Sequence, residues 1–245
     1  MQKILIIGAN SAIATACARQ WAARGAALYL IGRDPGRLAA LADDLRVRGA
    51  GAVDTGTLDV DELAGHEAAL AAARQALGGI DVALLAHGTL PDAAACDRDA
   101  ALAMAHFATN GGSTIALMHR LAGLLEAQGD GTLAVISSVA GDRGRASNAI
   151  YGAAKAAVSA YASALRQRLG RSGVDVLTVK PGFVDTPMTA AFAKGALWAR
   201  PEAVAAGIVR AVERRRAVVY LPWFWRPVMM VIKALPEFVF RRLKF

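Results

Sequence analysis

Short runs of β-branched or apolar residues alternate with longer Ala-, Leu- and Arg-rich segments of helical period along most of the chain. No other feature restricts the fold as much. The short runs, at residues 3–7, 27–31, 52–57, 82–86, 132–137, 174–180 and 218–221, are expected to be strands. The spacing between them predicts helices near 13–24, 35–48, 61–77, 97–126, 149–169 and 201–214. Strands that alternate with helices pair in parallel, because a parallel neighbour is reached only through a crossover, and the helices then cover both faces of the sheet. The expected architecture is a doubly wound α/β fold on a seven-stranded parallel sheet, a Rossmann fold. A single domain over 1–221 is followed by a basic, aromatic C-terminal tail over 222–245.

With 55% hydrophobic and 20% charged residues in 245, the chain buries a large core and is unlike disordered compositions. Cys17 and Cys96 lie far apart without metal-ligand spacing and read as small buried hydrophobes, as in a reducing cytosol. No metal site is expected. The opening MQKILIIGAN has too short an apolar run for a secretory signal, so the expected location is cytoplasmic. Net charge is +8, and all of it lies in residues 194–245, where eleven Lys or Arg face only Glu202, Glu213 and Glu237.

In such a sheet ligands bind beyond the carboxyl ends of the strands. After the first strand comes GANSAIATACARQWAARG, in which Gly8 starts a tight turn and the next helix offers free N–H groups to a pyrophosphate. Ala12 and Ala14 stand where a dinucleotide loop has glycines, so an ordinary strand-to-helix turn is the competing reading. The second strand ends YLIGRDPGRL, with Gly32 where an NAD site has an acidic residue, and Arg33 follows. An arginine there suits a 2′-phosphate and points to NADP(H). The alternative is NAD(H), with Asp34 on the ribose and Arg33 a solvated loop cation.

Tyr151 and Lys155 are spaced i, i+4 at the start of a helix and share a face. Moving a phenol from a pKa near 10 towards 7 takes about 4 kcal/mol, which a buried ammonium beside it helps to supply. Ser138, thirteen residues before the tyrosine, ends the fifth strand. Together with the Gly8 loop, Asp59 in TLDV, Asn110 in ATNGG, and Pro181-Gly182 with Thr186 in KPGFVDTPM, these residues resemble the short-chain dehydrogenase/reductase family over essentially the whole chain.

The resemblance implies a role for each position. Tyr151 would protonate the carbonyl oxygen, Ser138 would orient it, and Lys155 would lower the tyrosine pKa and hold the nicotinamide ribose. Asn110 would sit at a break in its helix and anchor a relay water. Gly8, Asn10, Ser11 and Ile13 would line the pyrophosphate, Asp59 would meet the adenine, and Thr186 the carboxamide. Gly88, Pro181 and Gly182 would complete the cofactor wall. The family's Asn-Asn-Ala-Gly is Leu85-Ala86-His87-Gly88 here, and His87 reads either as a cofactor contact or as structural.

LAHG, AGDRGRASN and the tail LPWFWRPVMMVIKALPEFVFRRLKF are also similar to decaprenylphosphoryl-2-keto-erythro-pentose reductase-like members, which reduce a keto-sugar on a polyprenyl phosphate. Arg143 and Arg145 read as contacts to a substrate phosphate or as exposed loop cations. The tail's aromatic and basic residues suit the interface of an anionic membrane, which would make the protein peripheral on the inner face of the cell membrane. Packing on a neighbouring subunit or against the substrate pocket is the alternative. Its longest uncharged run, 217–225, is too short to span a bilayer, and Pro222, Pro227 and Pro236 argue against one long helix. No nucleic-acid motif accompanies the charge. The expected function is hydride transfer between NADP(H) and a carbonyl or secondary alcohol, small or lipid-linked, by a homodimer or homotetramer. A non-catalytic nucleotide-sensing module is the rival.

Overall fold

The computed structural model describes residues 1–243; Lys244 and Phe245, counted above with the tail, lie outside them. The strands are β1 (Lys3–Ile7), β2 (Ala27–Gly32), β3 (Ala52–Thr57), β4 (Val82–Leu85), β5 (Gly131–Ile136), β6 (Val174–Pro181) and β7 (Val218–Leu221). The helices are α1 (Ala12–Ala22), α2 (Pro35–Val47), α3 (His66–Leu77), α4 (Ala93–Arg98), α5 (Ala100–Phe107), α6 (Ser113–Gln128), α7 (Ala149–Leu169), α8 (Pro201–Glu213), α9 (Trp225–Ala234) and α10 (Glu237–Phe240).

All seven strands join one parallel sheet in the order β3-β2-β1-β4-β5-β6-β7. In the centre, Ile6 lies opposite Leu30 on β2 and Leu84 on β4. Residues along β1 alternate between faces, as a pleated strand requires. Ile4 and Ile6 pack in a core with Trp21 of α1, Leu41 of α2 and Ile208 of α8. Leu5 and Ile7 pack on the other side with Leu70 of α3, Leu121 of α6 and Val158 of α7. Each such aliphatic side chain, removed from water, contributes about 1.5–3 kcal/mol. Cys17 and Cys96 are buried and unpaired, as their isolation in the sequence implied.

Chain order reverses between β1 and β4, so the connections leave in opposite directions there and the carboxyl edge opens into a crevice. Gly8 makes that edge possible. Its φ is +82°, and a Cβ on it would lie 2.5 Å from the His87 backbone nitrogen. Only glycine combines that backbone with so close an approach.

The helix expected over 97–126 is four pieces instead. Asp92 accepts from the Ala94 amide at 2.9 Å and caps α4, and Asp99, in extended conformation, accepts from the Leu102 amide at 3.0 Å and caps α5. Two caps seven residues apart start two helices, where periodicity alone suggests one. A π turn, Ala108–Gly112, then separates α5 from α6.

After β7 the chain folds back on its own body. Trp225 and Met229 of α9 are buried in a small cluster with Val139. Pro227 is tolerated because it sits in the first turn of α9, where amides need no intrahelical partner.

Candidate active site

The crevice at the carboxyl edge has a volume of about 440 Å³, and its wall joins the loops after β1, β2, β4, β5 and β6. Most of the residues singled out in the sequence converge on it: Gly8, Asn10, Ser11, Ile13, Arg33, Gly88, Ser138, Tyr151, Lys155, Pro181, Gly182 and Thr186.

At one end, Ser11 caps α1 by accepting from the Ala14 amide at 3.2 Å. The first turn of α1 faces the crevice at Ala12 and Ile13, a seat for a pyrophosphate. Ala14, in place of a family glycine, is fully buried in the core and keeps its methyl out of the crevice. Gly88 has φ +155°, and a Cβ there would stand 2.8 Å from Asn110 Oδ1, so the opposite wall also needs glycine. The residues present therefore fit a dinucleotide. Arg33 and Arg37 both line the crevice beyond β2. Asp34 is engaged as the N-cap of α2, accepting from the Arg37 amide at 3.0 Å. Arg37 escaped sequence reading because it lies in the first turn of α2, where a cation on a surface helix draws no notice.

Two expected contacts stand off the wall. Leu58 and Val60 line it, whereas Asp59 between them accepts from the Asp61 amide at 3.1 Å. Asn110 is fully buried. Its Oδ1 accepts from the Thr89 amide at 2.8 Å, and its Nδ2 donates to the His106 carbonyl at 3.0 Å and to Thr89 Oγ1 at 3.3 Å. The asparagine thus pins the π turn to the loop that carries Gly88.

His87 lines the crevice, and its Nε2 lies 3.2 Å from Ser113 Oγ and 2.9 Å from Thr114 Oγ1. Both hydroxyls donate to backbone carbonyls, so Nε2 carries the proton. Burial, then the Lys155 charge, lowers the His87 pKa to about 3, and the ring is neutral.

At the other end Ser138, Tyr151 and Lys155 meet. Of the hydroxyl pair, Ser137 is structural: it donates to the Lys155 carbonyl at 2.9 Å and lies 2.7 Å from Ser159 Oγ. Burial pushes the Tyr151 phenol above its ordinary value, and a hydrogen bond with Ser138 partly offsets this. The Lys155 ammonium lies 5.8 Å from the Tyr151 ring centroid and donates to the Ile136 carbonyl at 3.1 Å. Burial brings its pKa down to about 8. Burial is the leading cause of both shifts, and each favours the neutral form.

Neither arginine of the loop before Tyr151 lines the crevice, which corrects their reading as contacts to a substrate phosphate. The Arg143 guanidinium is bound to the C-terminal segment, and Arg145 lines a groove behind the loop. Among the described residues no cluster of His, Cys, Asp or Glu could hold a metal, and no helix is long and apolar enough to cross a membrane.

The family model described as short chain dehydrogenase matches residues 2–196. An uncharacterised oxidoreductase of Mycobacterium tuberculosis is 40% identical over 240 residues, covering 98% of this chain and 96% of the relative. One of Streptomyces coelicolor is 35% identical over 243 residues, covering 99% and 96%. Among solved structures, a short-chain type dehydrogenase/reductase from Mycobacterium ulcerans superposes with TM-score 0.79 at 22% identity, covering 89% of this chain and 87% of the other. A variant of actinorhodin polyketide ketoreductase, solved with NADPH, gives TM-score 0.79 at 23% identity, covering 89% and 94%.

The buried Lys155 sets a pH dependence. Between about 8 and the ordinary 10.5, the unfolded chain holds a proton on Lys155 that the folded chain has released, so this group's contribution to stability rises with pH across that window. Urea unfolding should show the wild type gaining about 2–3 kcal/mol on Lys155→Met between pH 7 and 10.5. A difference that stays flat with pH would show that the ammonium is not desolvated.

Proposed function

This chain belongs to the short-chain dehydrogenase/reductase family and is an oxidoreductase, and we propose that it moves hydride between NADP(H) and a carbonyl or secondary alcohol. The observation that carries the proposal is the meeting of Ser138, Tyr151 and Lys155 in the same crevice as the capped α1 turn and Arg33. When bound, the nicotinamide supplies the hydride in reduction and takes it in oxidation. Tyr151 gives its phenolic proton to the carbonyl oxygen, and Ser138 donates a hydrogen bond to the same oxygen, polarising it. Lys155 binds the nicotinamide ribose and, as a cation close by, eases loss of the tyrosine proton. Gly8, Asn10, Ser11 and Ile13 hold the pyrophosphate, and Thr186 with Pro181 and Gly182 closes the nicotinamide end. A relay water at Asn110 would meet its backbone carbonyl, since the side chain is engaged. A nucleotide sensor on this fold would have no use for such a proton donor.

For Tyr151→Phe we expect at least a hundredfold loss of turnover on a ketone panel, with the NADPH dissociation constant within about threefold of wild type. Near-normal kcat would overturn the mechanism.

NADP(H) rather than NAD(H) is supported by two arginines on the wall, Arg33 and Arg37, beside Asp34, one carboxylate oxygen of which is engaged in its cap. One charge-assisted contact to a 2′-phosphate is worth about 1.5–3 kcal/mol, so Arg33→Ala should lower kcat/KM for NADPH by about ten- to a hundredfold and leave NADH little changed. A wild type that prefers NADH would refute the assignment.

An apolar or lipid-linked substrate, the keto-sugar on a polyprenyl phosphate included, draws support from Met188 on the crevice wall and the exposed Phe183, Phe192 and Leu197 of the same loop. It draws none from Arg143 and Arg145. Exposed Leu102 and Met104 of α5 suit a homo-oligomer. Trp223, Met230, Val231 and Phe238 are 77%, 61%, 63% and 61% exposed beside Arg226, Lys233, Arg241 and Arg242, which supports peripheral docking on an anionic membrane. Each such cation near the surface contributes about 1 kcal/mol. The full chain should sediment with phosphatidylserine vesicles at low salt and be partly released at high salt. Replacing both Trp223 and Val231 by Ser should weaken sedimentation about tenfold; an unchanged amount of bound protein would exclude this face.

A further inference from the structure

The loop from Ser138 to Asn148 carries one member of the reacting pair and leads to the other, and it is gripped from two sides. Asp142, with its side chain only 3% exposed, is salt-bridged to Lys180 and accepts from the Tyr220 hydroxyl at 2.7 Å, which ties the loop inward to the ends of β6 and β7. The next residue reaches outward. Arg143 Nη1 donates to the carbonyls of Ile232 at 2.7 Å and Leu235 at 2.5 Å, and Nη2 donates to Glu237 Oε2 at 2.8 Å. Its guanidinium also lies 3.9 Å from the centroid of the Phe240 ring.

Ile232 belongs to the last turn of α9, and Leu235 is its C-cap. Carbonyls there have no intrahelical partner and sit at the negative end of the helix dipole, so a fork of N–H donors with a permanent charge is a suitable cap. The side chain is only 15% exposed, which strengthens its bonds to the carbonyls, whereas the partner Glu237 is 81% exposed and its ion pair adds little. Beyond Arg143 the loop opens to solvent at Gly144, Ala146 and Ser147. On the side nearer Ser138, a Cβ on Gly141 would lie 2.6 Å from the Lys155 carbonyl carbon. The loop thus rests on the backbone of α7 at the lysine, and movement of it displaces Ser138 relative to Tyr151 and Lys155.

We propose that Arg143 is a positioning residue, which straps the C-terminal segment α9–α10 to the catalytic loop and so holds Ser138 against Tyr151. It touches neither substrate nor cofactor; it acts by capping α9, and α9 in turn seats Trp225 and Met229 against Val139, the residue after Ser138. The proposal rests on the reading of Ser138 and Tyr151 as the reacting pair.

The test uses full-length Arg143→Ala, Arg143→Lys and Phe240→Ala, with amide hydrogen exchange read beside kinetics. Arg143→Ala should lower kcat about tenfold or more and leave the NADPH dissociation constant within twofold. Exchange should speed up together in 139–148 and 225–240 and stay unchanged in β1 and β4. Arg143→Lys keeps the charge but loses the planar fork, and should recover only part of kcat. Phe240→Ala removes the ring that lies over the Arg143 guanidinium, and should give the same pattern at about two- to threefold. Wild-type kcat in Arg143→Ala, or faster exchange confined to 225–240, overturns the strap. If Arg143→Ala does not fold, Phe240→Ala decides by the same criteria. Coupled exchange of the two segments is independent of chemistry, so failure of the Tyr151 test would leave it standing and would remove only the assigned roles of Ser138 and Tyr151.

Discussion

Parallel pairing of β1 with β2 on one side and β4 on the other is the constraint on which the rest of the molecule depends. Parallel strands all end at one edge, so the segments after them emerge together, however far apart they lie in sequence. This brings the Gly8 loop, Arg33, Gly88, Ser138 and Gly182 to one wall. The central strand achieves it with residues of no chemical character, Ile4 to Ile7, all fully buried between two helical layers. Because both faces are covered, a one-residue slip in register would exchange the two cores and the loops beyond them. A rigid sheet edge is therefore the scaffold, and side chains on loops and helix starts provide the chemistry.

Electrostatics at that edge follow from desolvation more than from pairing. Burial raises the Tyr151 phenol, lowers Lys155 to about 8 and lowers His87 to about 3. Every shift favours the neutral form, as expected where water is excluded. Tyr151 thereby keeps the proton that its proposed role as donor requires. Neutral His87 adds no second positive charge beside Lys155, and its Nε2–H is anchored on the hydroxyls of α6. The polar chain through Asn110, Thr89 and His106 fixes a π turn at the site by side-chain hydrogen bonds.

Much of this was legible in the sequence because it depends on local pattern. Apolar runs mark strands to within a residue or so of their ends, and the i, i+4 spacing of Tyr151 and Lys155 needs only a helix to place both on one face. The division of 97–126 was missed because the Asp99 cap interrupts a segment whose composition is helical on both sides; the signal, an acidic residue before an apolar run, was present. Asp59 stands off the wall because its carboxylate closes a turn onto Asp61, a choice that spacing does not reveal. The destination of Arg143 was not legible at all. Its partners lie about ninety residues away and are mostly backbone carbonyls, which carry no sequence signature.

That long-range contact changes what the C-terminal segment means. Composition presents it as one basic, aromatic unit, but α9 has two apolar faces. Trp225, Met229 and, partly, Ile232 recur at helical spacing and pack on the body, whereas Val228, Met230 and Val231 point away from it. Gly182 shows how closely the first face is fitted, since a Cβ there would lie 1.9 Å from the Trp225 indole nitrogen. Gly182 lines the crevice, so the aromatic end of α9 backs the crevice wall while its other end is capped from the loop that follows Ser138. A surface that engages the outward face would load a helix fastened at both ends to the site. In the proposed strap, movement of α9 would reach the site through these packed side chains and hydrogen bonds, with no need for the sheet to deform.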